Sequence, residues 1–480
     1  MLKEVRKTKI VATLGPVSSS SKMLQKLILA GADIFRLNFS HGENSEKKEL
    51  IDRIREVSAR MGRDVGILAD LQGPKIRTGK MKDNVMPLLK GQEVTITTAN
   101  ILGEKGIIPT IYKELPRDVR PGSRILLDDG LLELKVLSVK GEEVLCQVVT
   151  GGELKNNKGI NLPGVKVSAP SLTDKDRKDL DFCLGESIDF IALSFVRTAE
   201  DVEELKRLIS ASGRQIPIIA KIEKPEAMRN FAKILKAADA IMVARGDLGV
   251  EVQAEKVPVF QKKIIEACNQ AGKPVITATQ MLDSMIKNPR PTRAETSDVA
   301  NAIIDGTDAV MLSGETASGD YPLQAVETMA KVAVDIEQSG FMRRPVHGPD
   351  LSRGISRAVA ESACSAAAGL NAKAIVVFTQ SGRTAGLISY FRPTIPIIAF
   401  TNCAEIRRRV SLFWGVRCTE IGIMENTDQQ IFEVEKILLS SGFRKEDLIV
   451  ITMGTPIETR GSTNLMKVHS LGSHGFYEIF

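Results

Sequence analysis

Two carboxylates and a lysine stand at the ends of two neighbouring apolar runs. Lys221 and Glu223 end the run at residues 216–223, and Asp247 ends the run at 240–247. Lys221 and Glu223 alone could form a structural ion pair, and that alternative stays open. With Asp247, two carboxylates facing one cavity suit Mg²⁺, which takes few protein ligands and keeps water or substrate oxygens. Glu223 and Asp247 are therefore the predicted ligands of a divalent cation, Mg²⁺ or Mn²⁺.

A second set of polar residues alternates along another apolar run. Arg36, Asn38 and Ser40 stand at i, i+2 and i+4, so their side chains share one face of a strand. A solvated edge strand could show the same alternation, but the residues between them are large and apolar. A metal, a buried lysine and several arginines together suit an anion whose charge moves during reaction, as in phosphoryl transfer.

The elements that must position these residues repeat in a regular order. Short β-branched runs alternate with amphipathic helical stretches, which predicts parallel strands with right-handed crossovers. Eight such units closing on themselves predict a (β/α)8 barrel, whose functional groups gather at the carboxyl ends of its strands. The eight predicted strands lie in residues 8–15, 33–40, 66–73, 189–196, 216–223, 240–247, 275–281 and 309–315.

Two further domains interrupt and follow the barrel. Between the third and fourth strands the pattern changes to short strands joined by Gly, Asp and Asn, which predicts an inserted all-β domain at residues 75–170. An insert at this end of a barrel is well placed to act as a lid. The barrel itself is assigned to 1–74 and 171–345, and residues 346–480 predict an α/β domain with an open, mostly parallel sheet.

The barrel contains no glycine-rich phosphate loop of the usual kinds. Neither G-x-x-x-x-G-K-[ST] nor G-x-G-x-x-G occurs there, so a nucleotide would be held between barrel and lid. Gly246 offers a different anion site, because a glycine at a helix start exposes backbone N–H groups that can bind a carboxylate or phosphate.

Composition argues against several classes of function. The 480 residues carry a net charge of +6, and the basic residues are scattered, so no nucleic-acid partner is expected. The six cysteines form no C-x-x-C pair, which gives zinc clusters and redox motifs no support. An apolar stretch of about 18 residues and a signal peptide are both missing, so we expect no membrane partner and a cytoplasmic location.

Several motifs resemble the pyruvate kinase family over essentially the whole chain. They include FRLNFSHG, LQGPKIR, IIAKIEKPEA, VARGDLGVE, TATQMLDSM and MLSGETASGDYP. TATQML and MLSGETASGDYP are long and close to unique to that family. The resemblance implies Mg²⁺-dependent transfer of the phosphoryl group of phosphoenolpyruvate to ADP, giving pyruvate and ATP, which is the last step of glycolysis.

The resemblance also implies a role for each matched residue. Among the catalytic residues, Lys221 would stabilise the enolate oxygen, Arg36 would contact the phosphoryl group, and Thr279 would stand near the water that assists proton transfer. The implied substrate-binding residues are Arg36, Lys221, Gly246, Asp247 and Thr279. The implied nucleotide-binding residues are Arg77, Lys158, Asn38 and His41.

One motif departs from the pattern of many family members. Those members need K⁺ and carry DTKGPEIR where residues 70–77 of this chain are DLQGPKIR. An ammonium at Lys75 can supply the positive charge that K⁺ would bring, so we predict activity that does not require K⁺. The matching monovalent-cation position comprises Asn38, Ser40, Asp70 and Leu71.

The C-terminal domain holds a separate predicted phosphate site. A loop follows its first strand and opens a helix, so hydroxyls and free N–H groups could cradle phosphate, although a simple helix cap is the alternative. In the family this loop, with the turn at 460–463, binds a phosphorylated activator, and we favour a sugar monophosphate or AMP. Its predicted residues are Thr379, Ser381, Gly382, Arg383 and Thr384.

Two other functions stay open from the sequence. Another Mg²⁺-enolate barrel enzyme, such as a carbon–carbon lyase acting on pyruvate, would need neither the lid nor Arg77 and Lys158. A non-catalytic phosphometabolite sensor would use only the C-terminal domain, but the intact barrel motifs argue against it. The family is usually a homotetramer, and the resemblance implies that assembly for this chain.

Overall fold

Eight parallel strands close into a barrel in the computed structural model, which describes residues 6–342, 354–422, 426–455 and 463–473. Nearly every residue of these strands is buried, because helices cover the outside and side chains fill the inside. The predicted fold class is confirmed. The barrel strands are Lys9–Thr13, Ile34–Asn38, Gly66–Asp70, Phe190–Leu193, Ile218–Ile222, Ala240–Ala244, Val275–Ala278 and Ala309–Leu312.

The helices around the barrel bury one apolar stripe each against the strands. Several begin with a capping box, in which a threonine side chain and an acidic side chain three residues later satisfy each other's backbone N–H groups. The helices are Ser21–Ala30, Asn44–Met61, Asp174–Gly185, Ala199–Ala211, Pro225–Arg229, Phe231–Ala237, Arg245–Glu251, Val257–Ala271, Arg293–Ile304, Gly314–Ala317 and Pro322–Gln338, with 3₁₀ turns at Ala254–Lys256 and Asp283–Ile286.

The strands are shorter at their carboxyl ends than the apolar runs suggest. The sixth strand ends at Ala244 and the helix Arg245–Glu251 begins at the next residue, so Asp247 lies in the first turn of that helix. An acidic residue is favoured there because the helix dipole places partial positive charge at this end.

The insert between the third and fourth strands forms its own sheets and apolar core. A six-stranded sheet and a two-stranded sheet pack around residues such as Ile96, Ile125 and Val144. Four of its strands match short strands that the sequence predicts at residues 93–98, 123–130, 131–139 and 143–152, and the other four are two to four residues long. The strands are Val85–Leu88, Glu93–Thr97, Ile107–Pro109, Arg124–Leu127, Leu132–Lys140, Glu143–Thr150, Gly152–Lys155 and Ile160–Asn161, with one short helix, Leu115–Asp118.

The C-terminal part of the chain contains an open five-stranded sheet. Four strands are parallel and the last one, Leu465–Ser470, pairs antiparallel at one edge. The other strands are Ala374–Phe378, Ile397–Thr401, Val416–Glu420 and Leu448–Met453. Its helices are Ile355–Gly369, Arg383–Tyr390, Ala404–Arg409 and Thr427–Ser440, with a 3₁₀ turn at Val410–Leu412.

Buried ion pairs join this C-terminal sheet domain to the amino end of the barrel. Arg392 lies 2.8 Å from Asp308, and both side chains are less than 10% exposed. Arg408 lies 2.8 Å from Asp189, which is fully buried. These two contacts therefore lie at the end of the barrel opposite to the carboxyl ends of the strands. Among the residues described, no helix has the length and apolar character needed to cross a bilayer.

Candidate active site

Asp70 lies at the centre of a network of buried charges at the carboxyl ends of the strands. Its Oδ2 accepts from Arg36 Nε at 2.6 Å, and its Oδ1 lies 3.2 Å from Lys221 Nζ. Ser194 accepts from Lys221 Nζ at 2.7 Å and donates to the carbonyl of Leu71 at 2.7 Å. Burial raises the pKa of Asp70, but Lys221 and Arg36 outweigh that effect and hold this pKa below its ordinary value. Asp70 therefore stays ionised and fixes both cations.

Lys221 is a buried ammonium between two carboxylates. Its Nζ lies 2.9 Å from Glu223 Oε1 as well as 3.2 Å from Asp70 Oδ1. Burial lowers the pKa of Lys221, but the two carboxylates outweigh burial and raise this pKa above its ordinary value. A lysine that keeps its proton suits the stabilisation of developing negative charge rather than proton abstraction.

Glu223 is fully buried and only partly satisfied. Its Oε2 accepts from the backbone N–H of Phe195 at 2.7 Å. Its Oε1 has the ion-pair contact with Lys221 but no aligned hydrogen bond from any described residue. Burial raises the pKa of Glu223, Lys221 lowers it, and Asp247 raises it further, with a net rise. Each carboxylate oxygen therefore has one partner, and its remaining lone pairs could accept a cation.

Asp247 completes an oxygen donor set that fits a hard divalent cation. It is half-buried, and it is close enough to raise the pKa values of both Lys221 and Glu223. It also lines a cleft of about 500 Å³ between barrel and lid, together with Lys75 and Arg197. Within the described ranges no cluster of three or more His, Cys, Asp or Glu side chains could hold a metal. Two carboxylates plus substrate or water oxygens match the coordination that Mg²⁺ favours.

Thr279 occupies a strained turn after the seventh strand. Its φ is +69° and that of Gln280 is +54°, a region that β-branched residues rarely adopt. Arg245 holds the turn in place by donating to the carbonyl oxygens of Thr279 at 2.9 Å and Gln280 at 3.3 Å, while Asp298 pairs with the guanidinium at 2.7 Å. Strain of about 1–3 kcal/mol at such a position persists only where surrounding contacts enforce it.

The Gly246 N–H is not free for an anion in this structure. It donates to Thr279 Oγ1 at 2.7 Å, and that hydroxyl donates in turn to the carbonyl of Ala278 at 2.6 Å. The N–H group that the sequence suggests is exposed at Gly246 is therefore already bonded to a side chain in the turn after the seventh strand. The contact joins the helix of Asp247 to the strained turn.

A group of cations surrounds His41 on the lid side of the barrel mouth. Partial burial lowers the pKa of His41, and Arg77, Lys75, Lys47 and Arg36 lower it further, in that order. Four cations that act on one imidazole create a positive potential, which suits the phosphates of a nucleotide.

Arg77 and Lys158 are neighbours across the two chain segments that enter and leave the lid. Arg77 forms an antiparallel bridge with Gly159, and the backbone N–H of Lys158 donates to Thr78 Oγ1 at 3.0 Å. The Lys158 ammonium lies 2.8 Å from Asp128 Oδ1 in the lid, so it would have to leave Asp128 or share it to reach a phosphate.

Comparisons with known proteins agree with this geometry. Family models described as the barrel domain and the alpha/beta domain of pyruvate kinase match residues 5–326 and 357–469. A pyruvate kinase of Mycobacterium intracellulare is 47% identical over 97% of this chain and 99% of its own, and one of Staphylococcus saprophyticus is 49% identical over 98% of this chain and 81% of its own. The crystal structure of a pyruvate kinase from Cryptosporidium parvum has a TM-score of 0.89 at 39% identity, covering 97% of this chain and 96% of that chain.

This chain belongs to the pyruvate kinase family. It is therefore a phosphotransferase with pyruvate kinase activity, and the lyase and sensor alternatives are not favoured. The barrel, the additional sheet domain and the C-terminal α/β domain together form the pyruvate kinase fold.

The position where many pyruvate kinases bind K⁺ already has protein partners here. Asn38 Oδ1 accepts from the Ser40 N–H at 3.0 Å, and the Leu71 carbonyl accepts from Ser194. Both Asp70 oxygens face cations. Lys75 lines the same cleft as Asp247 and is close enough to His41, which follows Ser40, to lower the pKa of that imidazole. The Lys75 ammonium forms no hydrogen bond or ion pair with any residue that the structure describes.

The predicted effector loop has the geometry of a helix start with exposed polar groups. Thr379 Oγ1 accepts from the N–H of Gly382, which has a φ of +83° and precedes the helix Arg383–Tyr390. Ser381 and Arg383 are exposed, and Thr384 Oγ1 lies 2.7 Å from Thr463 Oγ1. Residues 460–462 of the predicted partner turn lie outside the described residues.

Three residues that shape the site were missed by the sequence analysis. Ser194 and Phe195 follow the fourth strand and orient Lys221 and Glu223, and Arg245 holds the Thr279 turn. The signal for Ser194 was a polar residue near the end of the fourth apolar run, 189–196. The backbone N–H of Phe195, with a φ of +54°, carries no signal in the side-chain pattern.

Proposed function

We propose that this chain transfers the phosphoryl group of phosphoenolpyruvate to ADP, giving pyruvate and ATP, at the mouth of the barrel. The supporting observation is the Lys221 ammonium, buried between Asp70 and Glu223 with a pKa above its ordinary value. A fixed positive charge at this point stabilises the enolate oxygen as the bond to phosphorus breaks. Arg36, held by Asp70, would contact the phosphoryl group from the other side.

Glu223 and Asp247 would hold Mg²⁺, with Mn²⁺ as a substitute. When bound, the cation would neutralise charge on the phosphoryl oxygens, as in other phosphoryl transfers. Gly246 and Thr279 would bind the substrate carboxylate region, although their mutual hydrogen bond must first exchange. Arg77, Lys158, Asn38 and His41 would bind the nucleotide, supported by the positive potential around His41.

The test is formation of pyruvate from phosphoenolpyruvate by the purified chain, with ADP and Mg²⁺ each omitted in turn. Omission of ADP should abolish pyruvate formation, because the phosphoryl group then has no acceptor. The variants Glu223→Gln and Asp247→Asn should lower activity and weaken Mn²⁺ binding measured by electron paramagnetic resonance. Pyruvate formation without ADP, or Mn²⁺ binding unchanged in both variants, would contradict the assignment.

Activity without K⁺ is a further part of the proposal. Its support is the Lys75 ammonium, which is unpaired among the described residues and close enough to His41, next to Ser40 in the chain, to lower the pKa of that imidazole. The oxygens of Asn38 and Leu71 at the monovalent-cation position already accept hydrogen bonds. A fixed ammonium supplies the charge that the monovalent ion would bring.

We also propose that a phosphorylated metabolite binds the loop at 379–384 and activates the enzyme. Support comes from the exposed Arg383 at a helix start and from the hydroxyls of Ser381 and Thr384. Sugar monophosphates and AMP should each be titrated into the parent enzyme and into Arg383→Ala, with binding measured by calorimetry. Equal affinity in both proteins would argue against this site.

The assembly and location remain proposals by resemblance, namely a homotetramer in the cytoplasm. All six cysteines are free thiols, as expected of a reducing compartment. Light scattering of the purified protein should give four times the chain mass of 52.3 kDa, and a monomer would contradict the proposal.

A further inference from the structure

Glu251 is a buried carboxylate that joins the lid to the barrel. Its side chain is 2% exposed, and its Oε1 accepts from Asn161 Nδ2 at 2.9 Å and lies 2.5 Å from Lys224 Nζ. Asn161 belongs to the lid strand Ile160–Asn161, which pairs with Arg124–Leu127 of the lid sheet. Lys224 belongs to the barrel. Glu251 Oε1 therefore contacts both the side-chain amide of Asn161 in the lid and the ammonium of Lys224 in the barrel.

Each barrel residue of this contact, Glu251 and Lys224, lies on the same chain segment as one predicted metal ligand. Glu251 ends the helix Arg245–Glu251 four residues after Asp247, so both lie on one face of that helix. Lys224 follows Glu223 in the chain. A displacement of Glu251 would therefore also move the helix that carries Asp247 and, through Lys224, the segment that carries Glu223.

A second contact runs from Lys224 to the residue that orients Glu223. The Lys224 ammonium lies 5.7 Å from the centre of the Phe195 ring, and the Phe195 N–H donates to Glu223 Oε2. Asn161, Phe195, Lys224 and Asp247 line the same cleft. Residues of the lid contact and the predicted metal ligand Asp247 therefore border one cleft.

We propose that Glu251 is a positioning residue that holds the lid in register with the metal-binding elements. The inference rests on the proposed function for its catalytic consequence, but its structural part is independent of it. With Asn161 on Glu251, the lid strand covers the cleft while Lys224 and the Asp247 helix are fixed in the same contact.

Hydrogen exchange of the purified full chain, followed by mass spectrometry, tests the structural part. In Asn161→Ala, peptides covering residues 158–162 and 245–251 should both exchange faster than in the parent, although the substitution lies only in the lid. The matched control is Glu133→Gln, which breaks the exposed Arg124–Glu133 pair within the lid sheet at 2.7 Å and should leave 245–251 unchanged. Unchanged exchange of 245–251 in Asn161→Ala would overturn the coupling.

Kinetics with a charge swap test the positioning role. Asn161→Asp places two carboxylates in contact, and Glu251→Gln removes the partner of Lys224, so each should lower kcat/KM for ADP about tenfold. The double variant Asn161→Asp/Glu251→Gln moves the carboxylate to the lid, still beside Lys224, and should recover to within about threefold of the parent. A double variant no better than the worse single variant would refute the inference.

The two proposals fail in distinguishable ways. If the parent makes no pyruvate from phosphoenolpyruvate and ADP, the proposed function fails, while hydrogen exchange still decides whether Asn161 and Glu251 are coupled. If the parent is active but exchange and the charge swap show no coupling, only the role of Glu251 fails.

Discussion

The two ends of the barrel both carry carboxylates, but these carboxylates have different partners. At the amino ends of the strands, an aspartate precedes every second strand and accepts from a backbone N–H of the strand before it, at 2.8–2.9 Å. These residues are Asp33, Asp189, Asp239 and Asp308. At the carboxyl ends, Asp70 and Glu223 face Lys221, and Glu223 keeps an oxygen without a hydrogen bond from any described residue.

This difference assigns stability to the carboxylates at the amino ends of the strands and chemistry to those at the carboxyl ends. A carboxylate bonded to a strand N–H and to an arginine of the C-terminal domain, as Asp189 and Asp308 are, has little capacity left for a ligand. A carboxylate with one partner on each oxygen, as in Glu223, has lone pairs left for a cation. Substitutions at the two ends should therefore affect different measured quantities.

The largest effect is expected for Lys221→Met at the carboxyl end. Loss of the ammonium removes the charge that stabilises the enolate, and kcat should fall about 10³-fold or more. The assay is pyruvate formation at saturating substrates and Mg²⁺. Mn²⁺ should still bind, because neither carboxylate is removed. Lys262→Met, which replaces an exposed lysine paired with Asp305, is the matched control and should keep its activity. Normal turnover of Lys221→Met would show that the assigned role is wrong.

Arg245→Met should have the next largest effect. The guanidinium holds the carbonyl oxygens of the strained turn at Thr279, so its loss allows that turn to relax. A displacement of about 1 Å of a substrate-binding group can cost about 10²-fold in kcat/KM for phosphoenolpyruvate. A crystal structure of the variant should show Thr279 at negative φ. Unchanged kinetics together with a relaxed turn would show that Thr279 does not bind substrate.

The sequence predicted the fold because its signals are local. Eight apolar runs between helical stretches placed all eight barrel strands, and a change to short strands revealed the insert between the third and fourth. Four short lid strands were not predicted, because runs of two to four residues have too little periodicity to be distinguished from loops. They are Val85–Leu88, Ile107–Pro109, Gly152–Lys155 and Ile160–Asn161.

The same limit applies to the candidate site. Lys221, Glu223 and Asp247 were found because charged side chains at strand ends stand out from apolar runs. The Phe195 N–H, the turn at Thr279 and the Arg245 contacts depend on backbone conformation and on residues 28 and 34 positions apart. The aspartates at the amino ends were visible at the start of the runs, but their hydrogen bonds to the preceding strands need the register of the closed barrel.

The variant Lys75→Glu tests whether an ammonium at the carboxyl end of the barrel replaces K⁺. The parent should be equally active with and without K⁺, because the ammonium supplies the charge. The variant should lose about tenfold or more in kcat without K⁺ and regain it when K⁺ is added. Na⁺ at the same ionic strength is the control for general salt effects. A parent that requires K⁺ would end this proposal regardless of how the variant behaves.

Asp308→Asn at the amino end should leave kcat almost unchanged and lower stability instead. The substitution leaves Arg392, 7% exposed, without its counter-charge, and breaking one partner of a buried pair costs about 3–5 kcal/mol. Thermal unfolding should therefore begin at a lower temperature, first in the contact between barrel and C-terminal domain. The double variant Asp308→Asn/Arg392→Met removes both charges and should be more stable than Asp308→Asn alone, since no buried charge is left unpaired. If Asp308→Asn instead lowers kcat in the folded enzyme at low temperature, the two ends of the barrel do not divide stability from chemistry, because a contact far from the site would then control the reaction.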